Sequence, residues 1–358
     1  MTTFVKKIDL LLLLPAILLS SLGLLMIYSI SFESDPSFFI RQLFYVILSI
    51  VVYLVISRIN FKTISHLSYL FYGVIILLLT LTFLIGIEVR GSTRWIDLGF
   101  ITVQGSELAK PILLLALAHF LARNSPSHLK NFLASSLVML IPAILIIRQP
   151  DLSNSLILLS LWLFMVFISG ANLLYLGASA FAAVVSVPLV WTFVLKSYQK
   201  ARILTFFNPN LDPLGASYNL VQALIALGSG QMFGRGLGRG TQSHLDFLPE
   251  GRTDFIFAAT GEELGFVGVS LIIVIFAFLI YRILKKGVAA KNLESSVFIF
   301  GAAFVLITQF FINAGMNMGI FPVSGITLPF VSFGGSSIVS LYVILGLIEV
   351  SSRENNSL

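Results

Sequence analysis

The 358-residue chain contains no cysteine. A disulfide framework, a thiolate metal site and a thiol nucleophile are therefore excluded, and any chemistry must rest on oxygen and nitrogen groups. Charge is scarce as well: 11% of residues are Asp, Glu, Lys or Arg, against about 25% in soluble domains. The four histidines, His66, His119, His128 and His244, show no ligand spacing, which argues against a histidine metal site. No long polar block, repeat, low-complexity tract or lipidation signal interrupts the sequence, so residues 1–358 read as a single polytopic membrane domain. The formal charge of +6 is scattered through short connections. It forms no basic stripe, and nucleic acid is excluded as a partner.

What is present is apolar: 57% hydrophobic residues and a mean hydropathy of +0.99. Such a chain takes lipid as its solvent. A hydrocarbon layer about 30 Å thick needs around 20 apolar residues per helix. Ten runs near that length fall at 10–30, 38–56, 67–87, 105–122, 132–147, 154–169, 172–195, 253–281, 294–312 and 335–350. The fold class is therefore an all-α integral membrane protein of about ten transmembrane helices. The first run follows Lys6 and Lys7 but is long and lacks a small-residue cleavage site, which reads as an uncleaved span.

Lys6, Lys7, Arg58, Lys62, Arg123, Lys130, Arg282, Lys285, Lys286, Lys291 and Arg353 fall on alternate connections. This places both termini in the cytoplasm. Further basic residues, among them Arg94, Arg148, Lys196, Arg202, Arg235, Arg239 and Arg252, fall on the opposite side against that tendency, as expected of charge with a job there. One connection is long, residues 196–252, and loops of this length are usually functional or disordered. Its helix-like piece at 219–227 and its glycine-rich stretch GSGQMFGRGLGRG at 228–240 argue for a large structured extracytoplasmic loop between spans seven and eight.

Asp254, in LPEGRTDFIFAATGEELG at 248–265, stands where that loop enters the eighth span. A carboxylate beside hydrocarbon is rare unless paired or used; the alternative is a helix cap. Glu262 and Glu263 further along read as a packing pair reached by Arg or Lys side chains from the cytoplasmic end. Glu107 and Lys110, three apart in VQGSELAK, share a helical face and are candidate functional groups inside the membrane. Asp151, in RQPDLSN, is either an N-cap or part of the same outer site. Arg235 and Arg239 lie between glycines without the spacing of a nucleotide loop. They read as guanidinium forks for a pyrophosphate or as solvated residues on a turn. The prolines and glycines of NAGMNMGIFPVSGITLPFVSFGGSS, 313–337, argue for a folded loop lining the outer cavity.

These motifs resemble those of the SEDS family (shape, elongation, division and sporulation) across essentially the whole chain. They include RWIDLG at 94–99, QGSELAK at 104–110, QPDL at 149–152, NPNLDPLGASYN at 208–219, GRGLGRGTQSHLDFLPEGRTDFIFA at 234–258 and the GITLPFVSFGGSS loop. The chain departs from the common family pattern at Gly105, Arg252 and Ser153–Asn154. The resemblance implies ten spans with both ends cytoplasmic in the inner membrane and an active site facing outside. It implies polymerisation of lipid II into a growing glycan strand, usually with a divalent cation, Mg²⁺ or Mn²⁺. The essential aspartate of the family falls on Asp254, its intramembrane Glu and Lys on Glu107 and Lys110. Arg94, Asp151, Arg235, Arg239 and Ser332 of the matching motifs are further candidates for substrate binding, and Asp254 with Asp151 for the metal. The implied partners are a class B penicillin-binding transpeptidase, the elongation machinery and membrane lipids. The NP-x-x-DPLGA-x-Y stretch and the PV-x-GI-x-LPF-x-S loop favour the RodA type over the FtsW type. A flippase for lipid-linked precursor shares the intramembrane charges but would call for paired broken helices, and a pure scaffold would leave the outer carboxylates idle.

Overall fold

The computed structural model describes residues 8–32, 35–89, 92–97, 99, 101–208, 212, 215, 217–245 and 247–353. Lys6, Lys7, Arg90 and much of the 208–219 motif lie outside the described residues.

Apolar runs in lipid must satisfy every backbone N–H and C=O internally, which leaves the helix as the available form. Among the described residues nine helices reach spanning length, α1 Leu10–Ser31, α2 Ser37–Ile56, α4 Ser68–Ile85, α5 Gly105–Arg123, α6 Leu129–Arg148, α8 Leu173–Leu189 with its continuation to Val194, α12 Ile256–Val288, α13 Leu293–Asn317 and α14 Gly335–Arg353. A tenth, α7 Leu152–Ile168, has 17 residues. The ten expected spans are all present. The eighth runs seven residues past its expected end at 281, because Arg282, Lys285 and Lys286 continue the helix and long basic stems can lie along apolar surface while their charges reach water.

Four short helices complete the chain: α3 Phe61–His66, α9 Ser197–Phe207, α10 Tyr218–Ser229 and α11 Thr241–His244. The helix-like piece expected at 219–227 is α10. The connection before α5 was not expected to be ordered. It is an antiparallel three-stranded sheet, β1 Ile87–Val89, β2 Ser92–Asp97 and β3 Thr102–Gln104, in that order, with Trp95 opposite both Ile87 and Gln104.

Burial is uneven. In α5 and α14, 78% of the apolar stretch is buried, and in α8 none is. The start of α8 is held by Tyr175, whose ring lies 5.4 Å from that of Phe132; the rest projects from the bundle as a span coated by its surroundings. The start of α1 and the end of α14 meet at one end of the bundle. The Asp9 N–H donates to Glu349 (3.1 Å), the Asp9 carboxylate pairs with Arg282 (3.0 Å) and Lys286 (2.9 Å), and Glu349 pairs with Lys286 (3.4 Å) and Arg353 (2.7 Å). Burial pushes the Asp9 carboxyl upward, but the bonds and charges of Lys286 and Arg282 outweigh it and hold the group below its ordinary value. The sheet and the segments 248–255 and 321–337 gather at the other end.

Candidate active site

The chain turns sharply over residues 248–255 to enter α12. Glu250 takes a left-handed backbone conformation (φ 58°), uncommon for a residue with a side chain, and its carbonyl accepts from the N–H groups of Thr253 (3.0 Å) and Phe255 (3.1 Å). Three successive carbonyls are then pinned by other segments. That of Arg252 accepts from Phe333 N–H (2.9 Å), that of Thr253 from the Ser332 hydroxyl (2.6 Å), and that of Asp254 from the amides of Asn313 (2.9 Å) and Asn317 (3.0 Å). With its main chain fixed in this way, half-buried Asp254 lines a cavity of about 390 Å³. The helix is capped by Phe255 with no side-chain bond, so Asp254 does not serve as its cap. Opposite stands Gly325 (φ 71°), where a Cβ would lie 3.6 Å from Asp254 Oδ2.

Arg94, on β2, lines the same cavity. Its guanidinium donates to the carbonyls of Pro150 and Gln149 and sits 3.9 Å from Asp151. Asp151 itself is buried and does not line the cavity. It caps α7 through Asn154 N–H (3.3 Å) and accepts from Ser106 (2.9 Å), from the Asn154 amide (2.9 Å) and from Gln104 (3.4 Å). Both readings of Asp151 thus meet in one role, a cap that also steadies Arg94. Its oxygens are engaged by protein donors, so the expected metal role for Asp151 does not fit. Tyr198 and Arg202 of α9 complete the wall, with the Arg202 guanidinium 5.6 Å from the Tyr198 ring centre. Arg94, Tyr198 and Arg202 also border a second, apolar cavity of about 320 Å³ between α7, α9 and the segment 321–326. The polar and apolar cavities therefore share a wall whose charged groups are two arginines.

Glu107 and Lys110 pair at 2.6 Å and are almost wholly buried. Neither lines the cavity; at about 1.5 Å per residue, Lys110 lies roughly 9 Å along the helix from cavity-lining Gln104. Glu107 Oε2 has no bond partner among the described residues. Ser332 is a positioning group whose hydroxyl links Thr253 to the Leu328 N–H (2.8 Å). Arg235 and Arg239 are exposed and do not line the cavity; Arg235 bonds Thr241 (2.9 Å).

The glycine-rich segment that carries them instead packs on the flank of α12. There Glu262 accepts from the N–H groups of Gln242 (2.8 Å) and Ser243 (3.0 Å) and from the Ser243 hydroxyl (2.9 Å). Glu263 accepts from Ser29 (2.6 Å) and pairs with His244 (2.8 Å). Both carboxylates are fully buried. The packing role expected of them holds, but their partners are this loop and α1, in place of cytoplasmic Lys and Arg. The close approach requires glycine: α12 kinks at Gly265 (φ 65°), where a Cβ would run into the Gly234 N–H.

Sequence reasoning singled out neither Asn313 and Asn317 nor Tyr198 and Glu250, and marked Arg202 only as one of the outer basic residues with a job there. The signal for the first pair was present, two amides four apart on an otherwise apolar span. Among the described residues no three His, Cys, Asp or Glu side chains cluster to hold a metal. Asp254 and Glu250 share the cavity wall, and this donor set fits a cation that keeps several waters and takes its remaining ligands from a substrate phosphate.

Residues 9–357 match the pattern of the cell cycle protein family of FtsW, RodA and SpoVE. The chain is 35% identical to the peptidoglycan glycosyltransferase MrdB of Escherichia coli K12 over 97% of this chain and 94% of that one. It is 39% identical to a probable peptidoglycan glycosyltransferase FtsW of Coxiella burnetii over 92% of each. Its fold is similar to a chain of a peptidoglycan synthase complex that coordinates polymerization and crosslinking (TM-score 0.85, 29% identity, 99% and 100% covered). It is also similar to the rod shape determining protein RodA of Thermus thermophilus (TM-score 0.75, 27% identity, 100% of both). This multi-pass membrane chain belongs to the FtsW/RodA/SpoVE family of cell cycle proteins.

Proposed function

We propose that the protein is a peptidoglycan glycosyltransferase that polymerises lipid II, with Asp254 as the group that takes the proton from the acceptor hydroxyl. The observation that carries this reading is the shared wall. Two carboxylates, Asp254 and Glu250, and two arginines line one polar cavity, and the same arginines border an apolar one. A polyprenyl diphosphate sugar has these three parts in this order: sugar, pyrophosphate, hydrocarbon. The sugars lie beside Asp254, the pyrophosphate at Arg94 and Arg202, and the polyprenyl chain in the apolar cavity toward Ile312 and Phe321.

In the transfer, the acceptor oxygen bonds to the anomeric carbon of the donor as the bond from that carbon to the pyrophosphate oxygen breaks. Asp254 receives the acceptor proton. Arg94, oriented by Asp151 and the carbonyls of 149 and 150, supplies positive charge to the departing phosphate. A divalent cation held by Asp254, with Glu250 close by, would neutralise charge on the leaving pyrophosphate. The names of the relatives support the activity, and the likeness to a synthase complex chain supports a class B penicillin-binding transpeptidase as partner. Both termini lie in the cytoplasm and the cavity faces outside, as the basic connections favour. The NP-x-x-DPLGA-x-Y and PV-x-GI-x-LPF-x-S motifs favour a role in elongation.

The test is incubation of purified wild-type and Asp254→Asn protein with lipid II, Mg²⁺ or Mn²⁺ and a cognate transpeptidase, resolving products on a gel. Glycan ladders from the wild type alone are expected. Ladders of equal intensity from a folded Asp254→Asn protein would overturn the assignment of Asp254.

A further inference from the structure

The segment before α14 supplies Phe333 and Gly334 to the wall of the polar cavity, yet it runs as irregular chain from 322 to 334. It also enters the bundle, since a Cβ on Gly23, in the middle of α1, would run into the Val331 carbonyl. Irregular main chain at such depth persists only where protein supplies its hydrogen-bond partners.

Here one face of α2 supplies them. Phe38, Gln42 and Tyr45 are spaced four and three apart and share that face. They meet successive parts of the segment. The Phe38 ring lies 5.2 Å from that of Phe333, and the Tyr45 ring fills the space that a Cβ on Gly335 would need. Between them, the Gln42 amide closes on the main chain from both sides of Phe333: Nε2 donates to the Ser332 carbonyl (3.2 Å) and Oε1 accepts from the Gly334 N–H (3.1 Å). An amide on an apolar span is costly unless paired. This one is 1% exposed and directs both donor and acceptor to the same loop.

The residues it holds are those that reach the turn carrying Asp254. The Phe333 N–H donates to the Arg252 carbonyl (2.9 Å), and the Ser332 hydroxyl donates to the Thr253 carbonyl (2.6 Å). The Arg252 guanidinium in turn lies 4.7 Å over the Phe38 ring. A shift of the 332–334 main chain is therefore passed to the two carbonyls directly before Asp254.

We propose that Gln42 is a positioning residue for glycosyl transfer, fixing the place of Asp254 through residues 332–334. In this role, which rests on the polymerase reading, Gln42 touches no substrate, since it does not line the cavity; it acts through the main chain it holds.

The experiment compares full-length wild type, Gln42→Leu, Gln42→Asn and Leu43→Ala by hydrogen–deuterium exchange and by lipid II polymerisation with the transpeptidase partner present, all below their melting transitions. Gln42→Leu keeps the bulk and removes both bonds. Gln42→Asn keeps a buried amide one methylene too short, and it serves if the leucine variant does not fold. Both are expected to exchange faster over 331–336 and 250–256, with other spans unchanged. Gln42→Leu should lower kcat about tenfold at unchanged KM, as a small misplacement of a reacting group does. Leu43→Ala, partly exposed beside it, should match wild type. Adding Ser332→Ala to Gln42→Leu should lower kcat by less than the product of the separate effects, because both act through one link. Unchanged exchange over 250–256 in the Gln42 variants, wild-type kcat despite faster exchange, or a fully multiplicative double variant would each overturn the positioning role. No polymer from wild type, with the exchange result as expected, would overturn the polymerase reading and leave the hold of Gln42 on the Asp254 turn standing.

Discussion

The helix α12 carries two sets of acids in its neighbourhood, and they are treated in opposite ways. Asp254, just before its first turn, has its backbone carbonyl fixed by two asparagines while its carboxylate is left at a cavity wall. Glu262 and Glu263, eight and nine residues later, are sealed: among the described residues their carboxylates are bonded by residues 238–244 and by Ser29 of α1. A buried carboxylate surrounded by donors locks a loop to a helix, whereas one that lines a cavity is within reach of a substrate. The two sets thus differ in access, the first to a cavity and the second only to the protein's own donors.

Substitutions should separate the two sets. Asp254→Asn is expected to lower polymerisation by about 10²–10⁴-fold, the usual contribution of a positioned base, with a melting temperature equal to wild type. Glu262→Ala should do the reverse. It leaves the N–H groups of Gln242 and Ser243 without their acceptor, and at about 1–3 kcal/mol per stranded group the thermal transition should fall by several degrees before any loss of turnover is seen at low temperature. A Glu262→Ala protein as stable as wild type would break the comparison. Asn317→Ala tests the hold on the main chain. It should reduce turnover about tenfold with little change in lipid II affinity, since Asn313 still bonds the Asp254 carbonyl; a change confined to affinity would mean that the amide contacts substrate. The smallest effect belongs to a third acid, Asp9. Its folded carboxyl is held below its ordinary value, so the stability it lends is complete above the unfolded value near about 4 and is lost as pH falls through the lower folded value. Melting curves of wild type and Asp9→Asn should differ at neutral pH and converge at the acid end.

The spans were legible because an apolar run of some twenty residues has one way to satisfy its backbone in lipid. Asp254 was legible because a carboxylate at the edge of such a run calls for a reason. The sheet over residues 87–104 was not, since strands of three to six residues leave too short a pattern to tell from a loop. Which of the outer arginines line the cavity was only partly legible, since Arg94 was a candidate along with Arg235 and Arg239. Sequence gives the number of positive charges on one side but not their direction, and Arg94 and Arg202 face the cavity whereas Arg235 and Arg239 face solvent. The partners of Glu262 were hidden for a related reason: two of them are main-chain N–H groups of α11, and these carry no signature in the side chains.

The ion cluster of Asp9, Arg282, Lys286, Glu349 and Arg353 gives the molecule an unusual mechanical layout. Traction on the first and last spans enters at one point, where both are clasped to the foot of α12. The clasp therefore bears the load before any span can be drawn out, and it opens pair by pair like a zip. In a single-molecule pulling experiment the earliest rupture would weaken as salt is raised, while the later extraction of whole helices from lipid would be indifferent to it.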